Sequence, residues 1–290
     1  MSDQWALDTL HNLWLYVIEP IFLSLKLLKS SGANRPRLFW RTAGFEHYIP
    51  LHAAGNFKAP DGQEIHTCSD YVVSSYIPSF ATVSQTLTKA PRLLHPEELK
   101  MLLVARETSG FLPSTTTEVR TVSDILAPPC SVLFDTDHTE LSAEDVLGSL
   151  SRINCFHIAC HSQESRSIPN HYNPSTLAKT VKSELPAATF AFVSMCGDTP
   201  AYLLNRMYSP HNMASYALKM GFRSLVTVQW EMKDDDGPVI ATNFYRYLTE
   251  KAGGGINLDD VPYALDEAIQ ALRASGAESW RWLPFIHIGY

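Results

Sequence analysis

The chain has 290 residues, 45% of them hydrophobic and 18% charged, with a net charge of −7. That balance gives ample apolar material for a core and allows one or two domains. The acidic surplus argues against a nucleic-acid partner, which calls for a basic one. The five cysteines are an odd number and fall at no disulfide-framework spacing, so reduced thiols in a cytoplasmic protein are expected.

Leu13 to Leu28 (LWLYVIEPIFLSLKLL) is apolar but interrupted by Glu19, Pro20 and Lys26. A membrane span needs about 20 apolar residues with few charges, and the first residues carry no basic region for export. The stretch reads as a buried helix over 7–30, kinked at Pro20. Pro36 to Arg41 and Tyr71 to Ile77 read as strands, the second stopping before Pro78. A helix is expected over 80–90, a strand over 100–105, and a helix over 115–126 with Glu118, Val122 and Ile125 at helical spacing. A strand at 131–134 precedes a helix over 138–150 with Ser142 as its N-cap.

Two apolar runs, Cys155 to Ser162 (CFHIACHS) and Phe190 to Asp198 (FAFVSMCGD), suit strands of a buried parallel sheet. A polar insert at 162–173 and a short helix over 175–184 separate them. A helix over 201–220, ended by Gly221, and a strand over 223–230 follow. Then come the charged loop 231–237, a helix from Pro238 with Ile240, Phe244, Tyr247 and Leu248 on its apolar face, and a glycine-rich turn. A last helix from Asp260 buries Val261, Ala264, Ala268 and Leu272, and Trp282 to Ile288 finishes as a strand. Strands alternate with helices almost throughout, the pattern of an α/β fold with a mostly parallel central sheet and helices on both faces. A single domain over 1–290 is expected, with residues 1–32 packed on it as a helical segment.

Chemistry in open α/β sheets sits at the carboxyl ends of strands. One run ends at His161 and the other at Cys196. A histidine beside a thiol takes its proton and later protonates a leaving amine, and a helix starting after Cys196 would lower the thiol pKa. The N–H groups of Ser162 and Cys196 are candidate oxyanion donors. The same two residues also fit a packed core, so spacing alone leaves both readings open. Cys155, His157, Cys160 and His161 crowd four ligand types into seven positions, but strand alternation puts Cys160 on the opposite face from the other three. They cannot converge on one ion, so no metal is expected. Dinucleotide, phosphate-loop and serine-hydrolase motifs are missing, and no cofactor is expected. Glu231, Asp234, Asp235 and Asp236 form a carboxylate cluster that is either a solvated loop or part of a substrate pocket.

At these residues the chain resembles the CHAT domain family, caspase-like and associated with tetratricopeptide repeats, in its fungal form. The resemblance rests on Pro36–Gly55, Tyr71–Phe80, Cys155–Ser162, Ala191–Asp198, Gly221–Val239 and Trp282–Gly289, in family order. It implies a caspase-like fold related to caspases and separases, and a cysteine endopeptidase with a Cys/His dyad. The family histidine falls on His161 and the cysteine on Cys196, which makes His157 and Cys160 structural. Trp230, Asp234 and Asp198 are implied to shape the substrate site, where an acidic pocket would favour a basic P1 residue. The implied partners are a protein or peptide substrate and a helical-repeat sensor region or regulatory protein, in signalling, cell death or defence, with neither nucleic acid nor membrane. The chain departs from the family pattern at Ser162, where glycine is common, and at Gly197-Asp198-Thr199-Pro200 and Ser209-Pro210-His211-Asn212. Those departures motivate the alternative of a degenerate, non-catalytic CHAT module acting as a scaffold.

Overall fold

The computed structural model describes residues 3–30, 32–42, 49–60, 64–77, 93–105, 114–126, 128, 130–135, 152–161, 189–196, 217–218, 220–230 and 232–289. The side chains of residues 33, 131–135, 160–161 and 195–196 fall outside that description. The expected helices over 80–90, 138–150 and 175–184, with the Ser142 cap, lie outside the described residues, as does all of the 201–220 helix but its end.

The N-terminal segment is helical from α1 (Asp3–Leu13) to α2 (Glu19–Leu25), joined by a π-turn over Trp14–Ile18. Pro20 has no N–H to donate and its ring crowds the carbonyl four residues back. The wider turn accommodates this: the Glu19 N–H donates to Trp14 O, five residues back. The expected kink at Pro20 is thus a π-turn just before it. Trp14, Phe22 and Tyr71 pack ring to ring at 5.2–6.0 Å and hold the segment to the body. Among the described residues no helix is long and apolar enough to cross a membrane.

Eight strands form the central sheet. They are β1 (Arg37–Trp40), β2 (Val73–Tyr76), β4 (Lys100–Ala105), β5 (Ser131–Asp135), β6 (Cys155–His161), β7 (Phe190–Cys196), β8 (Ser224–Val228) and β10 (Phe285–Gly289). Two short strands, β3 (Leu93–Leu94) and β9 (Ile256–Asn257), pair separately. The order in the large sheet is β1-β2-β10-β8-β7-β6-β4-β5. Neighbours are parallel except at β10, which pairs antiparallel with β8. The apolar runs are continuous because these strands are covered: β4 from Met101 onward and all of β8 are buried.

Three helices lie side by side on one face: α3 (Ser114–Ile125) over β4 and β6, α4 (Asp236–Lys251) in the middle, and α5 (Val261–Ala274) over β2 and β10. A one-turn helix, α6 (Ser279–Trp282), precedes β10. So Trp282, expected to open the last strand, belongs to a helix, and Pro284 separates it from β10. The middle helix needs a broad buried face because it touches α3, α5 and the sheet. Ile240, Ala241, Phe244, Tyr245 and Leu248 are all buried, whereas Tyr247, expected on that face, is half-exposed under the Lys251 ammonium. Phe190, Phe192, Phe244 and Tyr245 interlock at centroid distances of 5.0–6.4 Å. Each such burial contributes about 1.5–3 kcal/mol.

Two histidines lie between β2, β10 and their surroundings, His287 buried and His52 partly buried. His52 lies between the Tyr76 hydroxyl (2.9 Å) and Leu283 O (3.2 Å), and His287 between the Ser75 and Ser224 hydroxyls (2.8 Å each). Burial lowers His52 to about 4 and His287 well below the usual histidine value. Both stay neutral in the fold but take up protons on unfolding below about pH 6.5, so their contribution is lost as the pH falls from there toward 4. Asp266 acts in the opposite sense: burial pushes it up to about 6 despite Arg35 at 2.7 Å, so it adds stability as the pH falls through that value. With two groups against one, the urea midpoint should be lower at pH 4.5 than at pH 7, and His52→Gln should flatten the difference. A midpoint that rises on acidification would contradict this assignment.

Candidate functional site

The strands β4, β6, β7 and β8 run the same way and end along one edge of the sheet. In the β6–β7 ladder His161 is the register partner of Cys196, the last pair of the two strands. Neighbouring strands lie about 4.8 Å apart, so the two candidate dyad residues stand side by side on the backbone at the carboxyl ends. The β7–β8 ladder pairs Phe190 with Ser224 and Phe192 with Val226. That ladder is recorded only as far as Phe192 and Val226, and Trp230 lies two residues beyond the end of β8, so the register brings together His161 and Cys196 alone among the candidate residues. Ser162 and Asp198 lie outside the described residues.

Trp230 is half-buried and packs on the core just beyond β8. The carboxylate cluster that follows does not act as a unit. Asp236 is fully buried and held by Arg281, with its carboxylate accepting from Nε at 3.0 Å and Nη2 at 2.5 Å. Asp235 is two-thirds exposed and pairs with Lys233 at 3.0 Å. Asp234 accepts from the N–H of Ser114, the first residue of α3, at 3.2 Å through Oδ2. A carboxylate there also meets the positive end of the helix. Its other oxygen, Oδ1, is buried with no partner among the described residues. Glu231 is not described.

Below the paired strand ends lies a buried polar network that sequence reasoning did not find. Glu118, on α3, has its carboxylate inside the protein. Its Oε1 accepts from His157 Nε2 at 2.8 Å and from the Ser194 hydroxyl at 2.8 Å. His157 Nδ1 is left to take the Tyr245 hydroxyl at 3.0 Å. Burial drives Tyr245 well above the usual phenol range, so it keeps that proton. The His157 ring stacks on Phe192, its register partner, at 4.5 Å and 6°. Both ring nitrogens of His157 are therefore engaged, which fits its expected structural role. Ser194 also donates to Ile158 O at 3.2 Å, crossing from β7 to β6. The one signal in the sequence was a glutamate in the otherwise apolar stripe with Val122 and Ile125. A buried carboxylate demands partners.

Gly237, in the first turn of α4, closes this network from above. A Cβ there would lie 2.2 Å from Glu118 Oε2 and 3.1 Å from Met232 Cε. The carboxylate cannot swing away without giving up His157 and Ser194. Gly237→Ala should cost about 1–3 kcal/mol by overpacking, read as a drop in the urea midpoint. The cost should shrink in a Glu118→Ala background, where the Cβ has room. Equal costs in both backgrounds would remove the carboxylate as the cause.

The other described thiols are no competitors for Cys196. Cys68 and Cys155 are buried, which pushes Cys68 up to about 12 and Cys155 higher still, and burial also raises Cys130.

The comparisons with known proteins agree with this geometry. Two crystal structures of the Saccharomyces cerevisiae separase–securin complex superpose on the chain with TM-scores of 0.51 and 0.50, at 15% and 14% sequence identity. Each match covers 84% of this chain but only 15% of the other, so the likeness concerns the fold of one part of a far longer protein. No curated protein matches the sequence. The sheet order, the flanking helices and the separase likeness together give the expected caspase-like α/β fold. The model of the CHAT domain matches residues 7–290, nearly the whole of the sequence, and this chain is a member of that family.

Proposed function

We propose that this domain is a cysteine endopeptidase that hydrolyses peptide bonds in protein substrates through Cys196 and His161. The observation that carries the reading is the ladder pairing of these two residues at the ends of adjacent parallel strands. His161 takes the Cys196 proton, and the thiolate adds to the scissile carbonyl. The resulting oxyanion is met by the N–H groups of Ser162 and Cys196. His161 then protonates the leaving amine, and water releases the acyl group by the same exchange in reverse. Trp230, Asp234 and Asp198 line the substrate side. Asp234 Oδ1, buried with no hydrogen-bond partner among the described residues, supports a preference for a basic P1 residue. The large exposed side chains Tyr16, Leu23 and Leu28 of the N-terminal segment support a protein partner, such as a helical-repeat sensor.

Cys196→Ala and His161→Ala should each abolish cleavage of a peptide library that the wild type cleaves. Wild-type Cys196 should also react with iodoacetamide at pH 6–7, well below the ordinary thiol value of about 8.5. The buried Cys68 and Cys155 should stay unlabelled, and peptide mapping separates Cys196 from Cys130 and Cys160. The second reading is a non-catalytic scaffold, favoured by the unusual residues after Cys196. It predicts no cleavage and a Cys196 labelling rate that His161→Ala leaves unchanged.

A further inference from the structure

A serine two residues before Cys196 and a histidine four residues before His161 bind the same carboxylate oxygen. Alternation along each strand places Ser194 in phase with Cys196, and His157 in phase with His161. Glu118 Oε1 is thus a common anchor for the last turns of the ladder: β6 cannot slide against β7 without breaking one of the two bonds. The same side chain reaches upward. Its Oε2 fills the space a Cβ would take at Gly237, directly after the loop that carries Asp234 and Asp236. One turn back along α3, the Ser114 N–H is bound by Asp234. α3 therefore acts as a strut, with Glu118 fastened to the strand ends and its first residue fastened to the loop beyond β8.

We propose that Glu118 is a positioning residue for the candidate dyad, holding the ends of β6 and β7 in the register that pairs His161 with Cys196 and tying that pair to the substrate-side loop. The assignment rests on the peptidase reading above. A buried polar cluster of this kind adds little net stability over apolar side chains of the same size. Oε2 is buried with no hydrogen-bond partner among the described residues, and what the two bonds on Oε1 add is a preferred arrangement of His157 and Ser194 around one oxygen. That matters for a dyad, because a displacement of about 1 Å between reacting groups costs on the order of 10²-fold in rate.

The test compares Glu118→Ala, Glu118→Gln and Ser194→Ala with the wild type on a peptide the wild type cleaves, each rate normalised to the folded fraction from circular dichroism. Glu118→Ala should lower kcat about 100-fold while KM stays within about threefold. Glu118→Gln keeps a carbonyl acceptor in place and should recover about tenfold of that loss. Ser194→Ala removes one of the two bonds on Glu118 Oε1, together with the contact to Ile158 O; it should lower kcat about tenfold, and it decides the matter if Glu118→Ala does not fold. A merely structural role would lower the folded fraction and leave kcat per folded molecule untouched. An unchanged kcat in folded Glu118→Ala, or in Ser194→Ala in its place, overturns the positioning role while the peptidase reading stands. A wild type that cleaves nothing, with Cys196 labelling insensitive to His161→Ala, overturns both.

Discussion

A carboxylate sealed inside the protein sets terms for everything around it. Moving such an ion out of water costs several kcal/mol, which only close partners offset. Glu118 has two donors on one oxygen and lies beside the first turn of α4, where the helix dipole favours negative charge. These demands fix four positions at once. His157 must present Nε2, Ser194 must keep its hydroxyl, Gly237 must have no side chain, and Tyr245 must complete the histidine. Two strands and two helices, far apart in sequence, are thereby committed to one geometry under the strand ends.

The edge above that network is organised by the sheet. β6 and β7 end as a pair, whereas β4 stops two residues earlier, at the level of Ala159. His161 and Cys196 stand side by side there because the hydrogen-bond ladder of β6 and β7 fixes their offset. Arg281 and Asp236 fasten the loop after β8 to α6, which arrives from the other end of the domain. The segment just beyond β8 is therefore held in place by the sheet and by one ion pair.

The strands were legible because apolar runs of four to seven residues end at turn residues, and a parallel sheet buries both faces. Family order pointed to His161 and Cys196, and the ladder pairs them. The errors have local causes. Trp282 and Leu283 read as strand because they are apolar, but Pro284 ends the turn they belong to. A narrow helical stripe takes in Tyr247, whereas α4 packs on three sides and buries Tyr245 as well. The π-turn before Pro20 leaves no trace in residue types beyond the proline itself. The carboxylate cluster at 231–236 looked uniform in sequence but splits into one buried, one capping and one exposed residue. Only three-dimensional partners such as Arg281 and Ser114 make that distinction. Glu118 was placed on the correct face of its helix, yet its partners lie 39 and 76 residues away and no local pattern announces them.

The position of β10 carries its own consequence. This strand stands between β2 and β8 and is the only link in the sheet between the pair β1–β2 and the other five strands. It is also the last of the strands to be synthesised. On the ribosome, β1 and β2 wait with an unpaired edge until residues 285–289 emerge, because their neighbour does not yet exist. Pairings across such long sequence separations are slow to form and leave edges open to wrong partners. The domain can become a single continuous sheet only once β10 has been made, so the parts of the sheet on its two sides are expected to depend on chaperones until then.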